Sequence, residues 1–216
     1  MDRTRCEATP DTRDSYCRRI RDHPEVFRQD VRDIRRCQPS ASRILDVGCG
    51  HGGFLDACRT EFEIVLGLDL RLSAVRACHE RGVFAIRSDA HRMPLRTSSI
   101  DVVRAEHVIE HLSDPLRLLN EAHRVLRAGG LFLAYVPSQY STLYPAANFY
   151  DDYTHIRPLS RVGALSLLED AGFEPLAISG YTLGRNAWER LAGRLLAFVI
   201  PHGWRIIGAR RRNIRD

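Results

Sequence analysis

From residue 43 onward the chain alternates between short apolar runs and longer stretches with helical spacing. The runs at Arg43–Val47, Ile64–Asp69, 83–87, 100–105 and 131–136 are rich in Val, Ile and Leu and are bounded by turn-forming residues. Runs of that kind predict strands buried on both faces. The stretches at 53–60, 73–80 and 115–126 predict helices, with Pro115 opening the last and Gly129-Gly130 closing it. Regular β–α alternation with short connections implies an α/β fold, a doubly wound and mostly parallel sheet with helices on both faces. Residues 160–171 predict one more helix, capped by Gly172, and 173–179 a sixth strand. Two segments fall outside the alternation. Residues 1–40 are densely charged, and Val26-Phe27, Val31 and Ile34 recur at helical spacing, which predicts an N-terminal helical cap beside or over the site. Residues 137–160 are rich in Tyr, Ser, Asp and Pro and too long for a plain connection, so they predict a lid or substrate segment. Residues 41–216 then form the main domain.

Composition narrows this picture only slightly. Hydrophobic content of 44% and charged content of 27% are ordinary for a globular chain. All 32 basic residues are arginine, the residue choice of a GC-rich coding sequence, and the net charge is +5. Arg205, Arg210, Arg211, Arg212 and Arg215 gather near the C-terminus beside the apolar stretch at 195–200. That pairing fits contact with a membrane surface, but a core helix with a solvated basic tail is the preferred expectation. No run reaches the length of a membrane span, so no integral membrane segment is expected. The six cysteines are scattered without a CxxC pair and no leader peptide is evident, which implies reduced thiols and a cytoplasmic location.

The chemistry concentrates where the first apolar run ends. Asp46-Val47-Gly48-Cys49-Gly50-His51-Gly52-Gly53 places four glycines within six positions directly after an acidic residue. A strand ending there must bring its backbone unusually close to something, with a helix start facing the same spot. This defines a nucleotide-type cofactor site at the carboxyl edge of the sheet. The spacing Gly48-x-Gly50-x-x-Gly53, with Asp69 21 residues after Gly48, satisfies a dinucleotide fingerprint. Asp46 argues otherwise, because a carboxylate beside the loop repels a pyrophosphate and suits a ligand with a cationic amine.

With Asp46, Gly48, Gly50 and Gly52 in place, the segment resembles motif I of the class I S-adenosylmethionine (SAM) methyltransferases. The resemblance extends through residues 40–180. The run Ala105-Glu106-His107-Val108-Ile109-Glu110-His111 is similar to that of enzymes of ubiquinone and menaquinone biosynthesis. Asp152-Tyr153-Thr154-His155-Ile156-Arg157, ahead of a helix ending in Ala171-Gly172-Phe173, is similar to a stretch in small-molecule methyltransferases. The resemblance implies a seven-stranded Rossmann-like sheet ending in a reversed strand pair, with residues 204–209 as the only candidate for strand seven. It also implies SAM as cofactor and S-adenosylhomocysteine as product. The glycine loop, including Cys49, would line the cofactor, Asp69 would take its ribose hydroxyls, and Leu70 would pack on adenine. Asp89 and Ala90 would contact the adenine edge, while Glu106 and His107 would border the methionine half. His111 would have a structural hydrogen-bonding role.

Methyl transfer to a hydroxyl needs a group to take the acceptor's proton, and His155, His107 and Asp152 are the candidates. No metal ligand set is expected; Asp151, Asp152 and His155 come nearest to one. The expected acceptor is a small molecule. Nucleic acid is not expected, since the Asn/Asp-Pro-Pro-Tyr/Phe motif of adenine-modifying enzymes and the Pro-Cys pair of cytosine-modifying enzymes are both missing. Two other classes stay open at this point: an NAD-dependent oxidoreductase built on the same loop, and a non-catalytic SAM-binding protein.

Overall fold

In the computed structural model, which describes residues 24–143, 149–181 and 201–211, the alternating runs become one seven-stranded sheet. Its strands are β1 (Arg43–Val47), β2 (Ile64–Asp69), β3 (Ala85–Arg87), β4 (Ile100–Glu106), β5 (Leu126–Pro137), β6 (Phe173–Tyr181) and β7 (Gly203–Arg210). They lie in the order β3-β2-β1-β4-β5-β7-β6. The first five pair in parallel, while β7 runs antiparallel between β5 and β6. Strand seven thus exists, and it is an inner strand rather than an edge.

Strand alternation sorts the core into two layers. Leu45 and Val47, Val103 and Ala105, and Phe132, Ala134 and Val136 face one layer. It is covered by α4 (Pro115–Val125) and α5 (Arg161–Asp170), through residues such as Leu118, Leu119, Ala122, Ala164 and Leu168. Ile44, Val102, Leu131 and Leu133 face the other layer, where they meet Phe54 of α2 (Gly53–Cys58) and α1 (Pro24–Cys37). The cap helix docks through Phe27, Val31 and Ile34, as its spacing predicts. α3 (Leu72–Glu80) packs Val75 and Cys78 against Leu55 and Ala85.

Side chains fix the helix starts. The Asp114 carboxylate accepts from the Arg117 N–H ahead of α4, and the Ser160 hydroxyl accepts from the Gly163 N–H ahead of α5. The expected stop for α4 needs correction. Gly129-Gly130 does not end the helix, which finishes at Val125, but lies inside β5 where the pairing with β4 shifts register. A Cβ on Gly130 would come within 2.9 Å of the Arg127 carbonyl and 3.0 Å of the Asp101 carbonyl. Close backbone approach at a bulge, not helix termination, therefore requires the glycine.

Of the basic C-terminal cluster, Arg205 pairs with Asp33 of α1 at 2.8 Å and Arg210 donates to the Ser98 hydroxyl at 3.0 Å. Residues 195–200, Arg212 and Arg215 lie outside the described residues. No helix among the described residues is long and apolar enough to cross a membrane.

Candidate functional site

Strand order reverses between β1 and β4, and the loops leaving the carboxyl ends of β1, β2 and β4 meet at that switch point. The loop after β1 is tied to β2, since the N–H groups of Gly48 and Cys49 both donate to the Leu68 carbonyl, at 2.7 and 3.0 Å. The Gly50 N–H donates to Asp69 Oδ2 at 3.0 Å. Gly48 sits at φ +71°, and a Cβ there would lie 2.3 Å from Val108 Cγ2, so the loop after β4 presses directly on the glycine loop. The Cys49 side chain turns away into the core, with its sulfur 3.9 Å from that of Cys78. The Cys78 contact, together with burial, holds its thiol far above the ordinary range. Only the Cys49 backbone is left to border a ligand.

At the end of β2 the Asp69 carboxylate is buried, and its Oδ1 accepts from the Arg71 N–H at 2.8 Å. The same Oδ1 also meets Arg71 Nε at 3.4 Å, so Oδ2 is the oxygen that keeps a further lone pair. Leu70 beside it is 63% exposed, an apolar side chain standing in solvent next to a buried acid. Past β3, the exposed Asp89 accepts from the His91 N–H at 2.9 Å, and Ala90 rests on the core.

The residue facing Asp46 is a surprise. In the pairing of β1 with β4, Asp46 stands opposite Arg104, and both side chains point into the layer under α1. Arg104 is fully buried. Its Nε donates to Asp30 of α1 at 2.9 Å, Nη1 to Asp46 at 3.1 Å and Nη2 to Glu106 at 2.7 Å. Its guanidinium also lies 4.3 Å from the Phe54 ring centre. Three carboxylates share one cation. Burial raises the pKa of Asp46 to about 7 despite Arg104, and raises that of Asp30. Burial also opposes ionisation of Glu106, but Arg104 and His107 outweigh it and hold its carboxyl below the usual range. The expectation that Asp46 awaits a cationic amine is therefore corrected, because the cation beside it is the chain's own Arg104.

His107 leaves β4 at φ +52°, a left-handed backbone rare outside glycine. Its Nδ1 lies 2.8 Å from Glu110 Oε1 and its Nε2 3.3 Å from the Tyr181 hydroxyl. Burial opposes protonation, but Glu110 and Glu106 prevail and raise its pKa. With Glu110 on one ring nitrogen and the Tyr181 hydroxyl on the other, the geometry argues against the expected role of His107 as acceptor of the substrate's proton. Glu110 and His111 form a 3-10 turn (Ile109–His111) that the Asp152–Leu159 segment crosses, with the Ile156 N–H donating to the Glu110 carbonyl at 2.8 Å. His155 lies within this segment, its ring centre 4.6 Å from that of His111. Asp152 Oδ1 accepts from the Thr154 hydroxyl at 2.6 Å, and its Oδ2 is 4.0 Å from His155 Nε2. Burial opposes ionisation of Asp152, yet the Thr154 hydroxyl and amide keep its pKa low.

The structure thus brings the predicted residues of the glycine loop, Asp69, Glu106 and His107 to one edge, with His155 and Asp152 on the segment crossing beyond β4. Asp30 and Arg104 were missed. The available signal was an acid inside the apolar face of the cap helix and an arginine inside an apolar strand.

Comparisons with known proteins agree with this geometry. Residues 45–134 match the family described as "Methyltransferase domain". A probable S-adenosylmethionine-dependent methyltransferase of Mycolicibacterium smegmatis is 35% identical over 72% of this chain and 59% of its own length. A mouse tRNA (carboxymethyluridine(34)-5-O)-methyltransferase is 36% identical over 48% of this chain and 16% of its own. The fold is shared with a SAM-dependent methyltransferase from Archaeoglobus fulgidus, at a TM-score of 0.66 and 24% identity over 85% of this chain and 94% of that one. The chain thus spans less than two thirds of the length of these two curated relatives. Residues 45–134 are thus similar to a methyltransferase domain, and the longer relatives they resemble are named as SAM-dependent methyltransferases, which does not favour the NAD-dependent alternative.

Proposed function

We propose that the protein transfers a methyl group from SAM to a hydroxyl of a small-molecule acceptor in the cytoplasm and releases S-adenosylhomocysteine. The observation that carries the reading is the glycine loop closing on the buried Asp69 carboxylate at the switch point. The donor set fits the cofactor. Asp69 Oδ2 keeps a lone pair for one ribose hydroxyl, and Oδ1 would take the second in place of its long Arg71 Nε contact. Leu70 offers an apolar cover for adenine, and Asp89 and Ala90 supply polar contacts at its edge. Gly48, Gly50, Gly52 and the Cys49 backbone let the loop run close to the cofactor. Glu106 and His107 border its methionine end, and Asp46 acts indirectly by fixing Arg104 and Glu106.

The cofactor supplies a methyl already activated by the sulfonium charge, so the chain contributes chiefly alignment. The acceptor's proton leaves to His155, with Asp152 as its neighbour at 4.0 Å. Nearby Tyr153 and Ile156 are 91% and 49% exposed, apolar surface for a small organic acceptor. A cytoplasmic setting fits the unlinked thiols of Cys37, Cys49, Cys58 and Cys78.

Calorimetric titration of SAM, S-adenosylhomocysteine and NAD+ into the wild-type protein and an Asp69→Ala variant tests the cofactor. Micromolar binding of the first two, weakened at least tenfold in the variant, is expected; binding of NAD+ alone overturns the reading. Radiolabelled methyl transfer onto bulk tRNA, in preference to hydroxylated small molecules, would refute the proposed acceptor class.

A further inference from the structure

Glu110, His111 and His155 each place one ligand atom within 4.8 Å of the other two. Their hydrogen bonds fix which atoms carry lone pairs. The Phe149 carbonyl can only accept, so His155 Nδ1, 2.6 Å away, carries the hydrogen and Nε2 the lone pair. The Thr154 hydroxyl donates to the Asp152 carboxylate, so its oxygen accepts from His111 Nδ1 at 2.9 Å. The His111 lone pair is then also on Nε2. Both rings thus take the tautomer of a metal-binding histidine, each oriented through its other nitrogen. Glu110 is buried, Oε1 is engaged by His107, and Oε2 is buried without any hydrogen-bond partner. Buried carboxylate oxygens are rarely left so, and this one belongs to the same three-residue cluster.

We propose that Glu110, His111 and His155 form a binding site for a divalent transition-metal ion. Two imidazole nitrogens and one carboxylate oxygen suit Zn(II), Co(II) or Fe(II) better than the harder Mg(II) or Ca(II). Three protein ligands leave coordination positions for small oxygen ligands. Resting on the methyltransferase reading, those positions would take the acceptor's oxygen and make its hydroxyl more acidic. With an ion bound, His155 would serve as a ligand and the proton would leave to solvent water, in place of the direct transfer to His155 at the metal-free site.

The test uses metal-stripped protein titrated with Co(II) and Zn(II), reading the Co(II) visible absorption and the calorimetric stoichiometry. S-adenosylhomocysteine binding and far-UV circular dichroism are recorded on the same samples. One ion per chain is expected, with affinity falling at least tenfold in Glu110→Gln and in His155→Phe while S-adenosylhomocysteine still binds. A wild-type protein that binds S-adenosylhomocysteine but neither metal overturns the site, as does metal binding unchanged in both variants. Metal binding without S-adenosylhomocysteine binding would sink the methyltransferase reading and leave the metal site standing.

Discussion

Two clusters, each built on a buried carboxylate, lie a few residues apart along β4 and its exit, and they are built in opposite ways. Around Arg104, three carboxylates each receive an N–H from one guanidinium, and aromatic rings close over it. Around Glu110, two histidines approach a carboxylate whose second oxygen has no donor. The first cluster is complete within the chain and joins α1, β1 and β4 into one body. The second leaves one buried carboxylate oxygen without a partner. Buried charge is costly in both; the first offsets that cost at all three carboxylates, the second only at Glu110 Oε1, which His107 engages.

The largest effect should come from opening the complete cluster. Arg104→Met strands three buried carboxylates and should lower the unfolding free energy by about 3–5 kcal/mol in denaturant titrations. A loss below about 1 kcal/mol would show that the network contributes little, and would erase the contrast.

A subtler effect concerns protons. The folded pKa of Asp46 is raised to about 7, so the chain binds a proton there that the unfolded state, at the ordinary value of 3.8, has released. The stability this contributes is full below about pH 4 and is lost as pH rises through about 7. The melting temperature should therefore fall between pH 5.5 and 8.5 in the wild type, with a shallower slope in Asp46→Asn. Identical slopes would mean that Arg104 keeps Asp46 ionised throughout.

The smallest effect belongs to the incomplete cluster. His155→Phe preserves a ring beside Phe149, whose centre lies 4.6 Å away, and removes one hydrogen bond. In metal-free protein it should cost no more than about 1 kcal/mol by thermal melting. A cost near that of Arg104→Met would mark the second cluster as structural too.

Much of this architecture was legible before any coordinates. Apolar runs placed β1 and β2 at their observed bounds, because strands buried on both faces leave an unbroken signal. Glycine spacing and Asp69 pointed to the loop edge at the switch point, because backbone approach permits few residue types. The two clusters were hidden for the same physical reason, which is that neither is local. Asp30 meets Arg104 across the sheet face, and His155 meets Glu110 across a segment with no periodicity. The bulge at Gly129-Gly130 was misjudged because a glycine pair before an apolar run looks alike whether it ends a helix or relieves a crowded strand.

β7 has a consequence for how the protein is made. Its residues, Gly203–Arg210, are the last strand of the described chain, yet they fill the gap between β5 and β6. While a ribosome is still adding them, β5 presents an open edge and β6 has no neighbour to pair with. A nascent chain stalled before residue 203 therefore exposes sticky β-edges, which makes it a natural client for chaperones.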